Sequence, residues 1–468
     1  MRGLFASVVV GVVCIGCGDS LSGISPSVEN PEGCEQPTVP VIRWTTDEPG
    51  TSQVEYGPDT NYGYATPLLD AETRDHEVVL AGLAAAATWH WRAVSMVGGA
   101  RIASDDATIE ACPPAEDLPA LTVRTYDPAR TDLGWVVGSN LSEKSHPIVF
   151  NRDGSYVWWR FGGERKIVSR ARLSRNGADM LYILANQSHS VDEGEIVRVP
   201  LQGGDEIRTR TVMSHHDFIE LANGNYVHLM ADVRETEIDR EDPPTVASVV
   251  GDTLVEVEPD GTVVRDIVSV WDHFSPIGYV DPKTDRRFYP QGLDWTHCNG
   301  MIYVEEEDAL YVSCKHISTV LKVDFPTGEL VWRLGGDFSD FELVGEGDGF
   351  HGQHAIARTE GGFTLFNNRA DLRDENDLLW SEAVEFEVDE ENGTYERIWS
   401  YDADKELYTF LMGGCVHTPN GNVHTSWGIR GVVRELDPES NEIVWDVATS
   451  VGHGLGYTTW AQSIGPIE

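Results

Sequence analysis

Basic side chains are what this chain has least of: 34 Lys and Arg stand against 77 Asp and Glu, a formal charge of −43 over 468 residues. Such a surface repels nucleic acid and anionic lipid, so neither is expected as a partner of the folded protein. It also repels an anionic substrate unless the site itself is locally basic. Helical periodicity is nearly absent, which leaves an all-β chain. There is no Cys-x-x-Cys pair, and with it goes the usual structural zinc site. No serine nucleophile elbow, phosphate loop or dinucleotide fingerprint occurs.

Long apolar runs are also missing, apart from Leu4 to Val13, which is too short to span a bilayer. It follows Arg2 and leads into Ile15-Gly16-Cys17, the form of a bacterial lipoprotein signal, with Cys14 where leucine is usual. The expectation is an exported bacterial lipoprotein, periplasmic or at the cell surface, with residues 1–17 as leader and Cys17 lipidated and holding the protein to the membrane. Residues 18–33, rich in Ser, Gly, Pro and Asn, then read as a flexible tether. Export implies an oxidising compartment. Five cysteines besides Cys17 would remain, an odd number; Cys34 with Cys112 and Cys298 with Cys314 are the pairs considered.

Residues 34–113 carry short strand-like runs broken by Pro, Gly and Asp. "LAGLAAAATWHWRAV" resembles the strand–corner–strand of a fibronectin type III β-sandwich, with Trp89 at the corner, and a spacer or docking role is expected. Residues 113–120 read as a linker. From 121 to 468 one pattern recurs six times: an apolar run, a polar turn often containing glycine, and a second apolar run often ending in an aromatic, as in "STVLKVDFPTGELVWRLGG". A second turn-plus-strand unit, such as "RTEGGFTLFNN", precedes most copies. Two hairpins per repeat make a four-stranded sheet that cannot bury both faces alone. Six of them stacked round an axis can, which predicts a six-bladed β-propeller.

The innermost strand of each blade lines the central channel, and the histidines gather just before these strands. His216 follows His215, His297 precedes "CNGMIYV", His354 precedes "AIARTEGG", and His417 precedes "TPNGNV". A single buried histidine is commonly a packing residue, but four at one repeat phase in successive blades call for a shared site. Alternation along a strand favours His216 over His215 as the inward one. His351 is expected to face solvent or support the site from behind. Asn299, Lys315, Asn368 and Arg369 lie close by in sequence. Carboxylates are scarce in these lead-in segments, Asp217 and Asp294 excepted, which argues against a hard-cation site and against paired-carboxylate glycoside chemistry.

"HHDFIELANGNYV", "DWTHCNGMIYV", "LYVSCKHISTVLKVDFPTGELVWRLGG", "FHGQHAIARTEGGFTLFNN" and "GGCVHTPNGNVHTSWG" together resemble the bacterial arylsulfate sulfotransferases. The resemblance implies transfer of a sulfuryl group from a phenolic sulfate ester to a phenol, with no nucleotide donor, metal or diffusible cofactor. It implies His354 as the transiently sulfated nucleophile, and His297 and His216 as anion-binding or acid–base partners. Asn299, Lys315, His417 and Asn368 would bind substrate. Lys315 stands where an arginine is usual, which keeps the charge and loses the bidentate fork. "QHAIA" lacks the acidic residue that often follows the histidine. Two other readings stay open on the residues alone: a propeller that binds metal through the same histidines, and a non-catalytic surface binding protein.

Overall fold

The computed structural model describes residues 24–29, 34, 37–132, 134–142, 144–164, 166–186, 194–238, 245–275, 291–369, 379–450 and 452–466. The leader 1–17 with Cys17, and most of the tether, lie outside the described residues. Among those described, extended strands dominate and the helical turns are three-residue 3-10 segments. No helix there is long and apolar enough to cross a membrane.

Six sheets, antiparallel apart from the short strands Leu293–Asp294 and Glu342–Val344, follow one another along residues 121–461 as the blades of a propeller. Each of the six recurrent hairpins lies within one blade. Trp135–Leu141, Pro147–Phe150 and Tyr156–Trp159 make the first, and Lys166–Leu173 opens the second. Ser214–Glu220 opens the third, Cys298–Val304 the fourth, His354–Arg358 the fifth and Gly414–His417 the sixth. These opening strands pack side by side round the axis. The ring is closed twice. Leu121–Tyr126 pairs with the outer strand of the last blade, Glu442–Thr449. The C-terminal Gly454–Leu455 and Thr459–Ala461 pair with Trp135–Leu141 of the first. A propeller leaves few open sheet edges, so both chain ends are fixed to it.

The turns explain why glycine recurs. Gly328, in "FPTGEL", has φ +76°, and a Cβ there would fall 2.1 Å from the carbonyl oxygen of Ile267 in the preceding blade. The turn is left-handed and also an inter-blade contact, so any other residue would collide.

Residues 27–110 form a connected seven-stranded set centred on Val41–Gly57. Trp89 Nε1–H donates to the carbonyl of Ala84, 3.0 Å away. The unit is not a loose spacer. Its Leu80, Leu83 and Trp89 share an apolar core with Val137, Val149, Val157 and Ile464 of the propeller, and Ala85 N–H donates to Tyr156 O at 2.8 Å. Leu118 of the linker packs on the cluster containing Phe150 and Trp445. Disulfides join Cys34 to Cys112 and Cys298 to Cys314, and Cys415 is a buried thiol.

Candidate functional site

Three successive blades use one device to aim a histidine. The ladder register breaks between His215 and Phe218, between Cys298 and Gly300, and between His354 and Ala357. In the break, or directly before it in the case of His297, a non-glycine residue takes left-handed backbone: His216 at φ +51°, His297 at +49°, Ala355 at +55°. A bulge with a left-handed residue re-aims a side chain at a cost of about 1–3 kcal/mol. Its repetition at one level marks the innermost strand ends as one place where this protein holds strain.

His354 is 1% exposed, and its Nδ1 lies 2.7 Å from Asn368 Oδ1. The orientation of that amide is fixed from behind, because Asn368 Nδ2 donates to the carbonyls of Thr409 and Met412, both at 2.9 Å. Oδ1 can only accept, so the His354 proton sits on Nδ1 and the lone pair on Nε2. Burial, and then the charge of Lys315, push the His354 pKa well below the ordinary value, so the ring is neutral near pH 7. Asn368 has both amide protons committed to the backbone. In the structure it is a holder of His354.

His297 is held in the same manner by a carboxylate. Its Nδ1 lies 2.5 Å from Asp294 Oδ2. Burial depresses the His297 pKa, with His316 and Lys315 adding to the effect, and burial raises that of Asp294 to about 6. His316 stacks on His297 with centroids 4.6 Å apart, and His216 meets His297 edge-on at 4.7 Å. His216 and His215 approach Nδ1 to Nδ1 at 2.9 Å, and His215 Nε2 lies 3.0 Å from Asp252 Oδ1. Both histidines therefore belong to the cluster. Simple alternation fails here because the bulge intervenes.

Lys315 is buried to 6% exposure, and its N–H donates to the His297 carbonyl at 3.0 Å. The Cys298–Cys314 disulfide joins the neighbours of His297 and Lys315, so it staples those two positions together. Asn299 Nδ2 donates to the carbonyl of Gln353 at 2.8 Å, directly before His354. Its buried Oδ1 has no partner among the described residues and, as an amide oxygen, can only accept.

Sequence reasoning missed two further residues. Tyr457 lies with its ring 6.1 Å from that of His354 and donates its hydroxyl to Asn299 O at 2.7 Å. Arg170 stacks on Tyr457 at 3.8 Å and grips Asp217 through two bonds of 3.0 and 2.9 Å. Burial opposes ionisation of Asp217, but Arg170 and Arg172 hold its carboxyl below the ordinary range. Asp217 also accepts from Met301 N–H at 3.0 Å, so it ties three blades together under the site.

His417 is not part of the cluster. It ends its strand where His354 begins one, and pairs with Val423 beside the hairpin turn. Its Nε2 lies 2.9 Å from Glu385 Oε2, with a side chain about a third exposed. The residues that open this strand, at the phase of His354 in the blade before, are Gly414 and Cys415. Arg369 points elsewhere, to Glu382 and Trp380. His351 is exposed, as expected.

No curated protein matches the chain. Similar solved structures include a protein of unknown function from Bacteroides caccae (12% identity, 71% of this chain and 100% of that one, TM-score 0.43). Another is the β-propeller domain of Myceliophteria thermophila Cps50 (Swd1) (12% identity, 74% and 97%, TM-score 0.38). A third is apo AztD from Citrobacter koseri (8% identity, 89% and 100%, TM-score 0.31). The profile of the arylsulfotransferase (ASST) family matches residues 122–452, more than two thirds of the sequence and nearly all of the propeller. The chain belongs to the arylsulfotransferase family.

Proposed function

We propose that the protein moves a sulfuryl group from a phenolic sulfate ester to a phenol through a sulfohistidine at His354. The observation that carries this reading is the buried, neutral His354 with its proton held on Nδ1 by Asn368. The Nε2 lone pair attacks sulfur, the S–O bond breaks, and the phenolate leaves with the electron pair. Sulfuryl transfer, like phosphoryl transfer, depends mostly on positioning and on charge stabilisation at the equatorial oxygens, and Lys315 supplies the cation. The amide of Asn368 cannot take up the Nδ1 proton, so the sulfonated ring stays a cation and remains a good leaving group for the second half-reaction. There the acceptor phenol attacks sulfur, and His297, backed by Asp294, takes its proton and returns it to the next departing phenolate. Metal-free turnover of this kind is ping-pong.

The assay is release of 4-nitrophenol from 4-nitrophenyl sulfate with phenol as acceptor. Lys315→Ala is expected to lower the rate about 10²-fold or more, because a cation in a water-poor channel stabilises the transition state by a few kcal/mol. Lys315→Arg is expected to keep or raise the rate. Equal rates for the alanine variant and the wild type would remove Lys315 from the site.

We also propose that the mature protein is exported and anchored through lipid on Cys17, which the Ile15-Gly16-Cys17 sequence and the two disulfides support. Cys17→Ser is expected to yield an unlipidated protein. Unchanged mass and membrane retention in that variant would refute the anchor.

A further inference from the structure

His316 is not used by this mechanism, yet it is set against the Asp294–His297 pair. Its Nδ1 lies 3.7 Å from the same Asp294 Oδ2 that His297 Nδ1 meets at 2.5 Å. One ligand atom from each of the three residues falls within 4.8 Å of the other two. Asp294 is 4% exposed, and its Oδ1 is a buried acceptor with no hydrogen-bond donor among the described residues. The side chain of His316 is 20% exposed, which opens the group to solvent on one side.

We propose that Asp294, His297 and His316 form a binding site for a divalent transition metal of the zinc class, and that its occupant inhibits sulfuryl transfer. Two imidazoles and one carboxylate are the donor set such ions take, with an open position left for water. Bonds of about 2.1 Å place ligand atoms around a tetrahedral ion roughly 3.4 Å apart. His316 Nδ1, at 3.7 Å, already lies close to that distance from Asp294 Oδ2, whereas His297 Nδ1, at 2.5 Å, must move out by about 0.9 Å to admit an ion. The orphan Asp294 Oδ1 gains a partner. The charge of Lys315 opposes a cation there, while the carboxylate of Asp252 favours one. The surplus of acidic residues over the whole chain draws cations inward.

Inhibition follows from the tautomer. A neutral imidazole that binds metal through Nδ1 must carry its proton on Nε2. No proton is gained or lost, but His297 Nε2 no longer presents a lone pair to the acceptor phenol. Binding is independent of the sulfuryl-transfer reading, whereas its effect on rate rests on it.

The full mature protein, stripped with chelator, is dialysed against Zn2+ or Co2+ and its metal content measured by plasma mass spectrometry. About one metal ion per chain is expected, with visible absorption bands for Co2+. His316→Ala and Asp294→Asn are expected to weaken binding tenfold or more while keeping the wild-type circular dichroism. Zn2+ is expected to depress the transfer rate of the wild type relative to its own metal-free rate, with recovery on adding chelator. Failure to retain metal, or equal retention by wild type and His316→Ala, would overturn the site. Metal bound as expected with no change in rate would overturn the inhibitory role, and if aryl sulfate is not turned over at all the binding result still stands or falls by itself.

Discussion

His354→Ala is expected to abolish both half-reactions: release of phenol from the donor as well as transfer to the acceptor, each by on the order of 10⁴-fold or more. The reason is covalent. If a general base merely activated the acceptor phenol, its loss would leave the donor half-reaction, and a burst of 4-nitrophenol would survive. If His354 receives the sulfuryl group, no burst is possible. His351 is the internal control. It lies three residues earlier in the same loop and is exposed. His351→Ala is expected to stay within about threefold of wild type, the usual range for surface positions. A burst from His354→Ala, or a comparable loss from His351→Ala, would contradict the assignment.

Asn368→Ala is expected to lower donor kcat/KM by up to about 10⁴-fold, the scale on which a wrong histidine tautomer impairs the serine-protease triad. Two things are lost with the amide. The Nδ1–H of His354 loses its acceptor, so both tautomers become populated. The Met412 carbonyl loses its donor and that of Thr409 is left with Ser381 Oγ–H alone, which costs stability of about 1–3 kcal/mol for a buried group left unpaired. A structural role alone would lower the unfolding midpoint without altering the ring. Nitrogen-15 chemical shifts of the His354 ring separate the two. Wild type is expected to show one protonated Nδ1, and Asn368→Ala a mixture. A wild-type tautomer together with wild-type turnover in the variant would show that the amide is only packing.

The propeller was legible because its repeat is local. Each hairpin announces itself by an apolar run, a turn and a second run, and the six copies fall one to a blade. His216, His297 and His354 were legible for the same reason, since each stands at a fixed distance from a recognisable strand. His417 differs from those three in ending its strand. Proximity to the next hairpin could not resolve whether it begins or ends its strand. His215 was set aside by alternation, a rule that holds only in an unbulged ladder. The role of Asn368 was not legible at all, because carbonyls 41 and 44 residues away decide which way its amide faces. Tyr457 reaches His354 only because the C-terminal segment returns to close the first blade, and nothing in its immediate sequence signals that. His316 was visible as a letter beside Lys315, but its distance from Asp294 depends on a parallel pairing of Leu293–Asp294 with the third blade.

The central claim is that sulfur is carried by one nitrogen of one residue. Brief exposure of the protein to 4-nitrophenyl sulfate without acceptor, followed by digestion and peptide mass spectrometry at alkaline pH, reads it directly, since sulfohistidine is labile in acid. The account predicts one added sulfonate on the peptide that contains His354, stoichiometric with the 4-nitrophenol released and discharged on adding phenol. A sulfonate on any other residue, or phenol released with no sulfonated peptide at all, would contradict it.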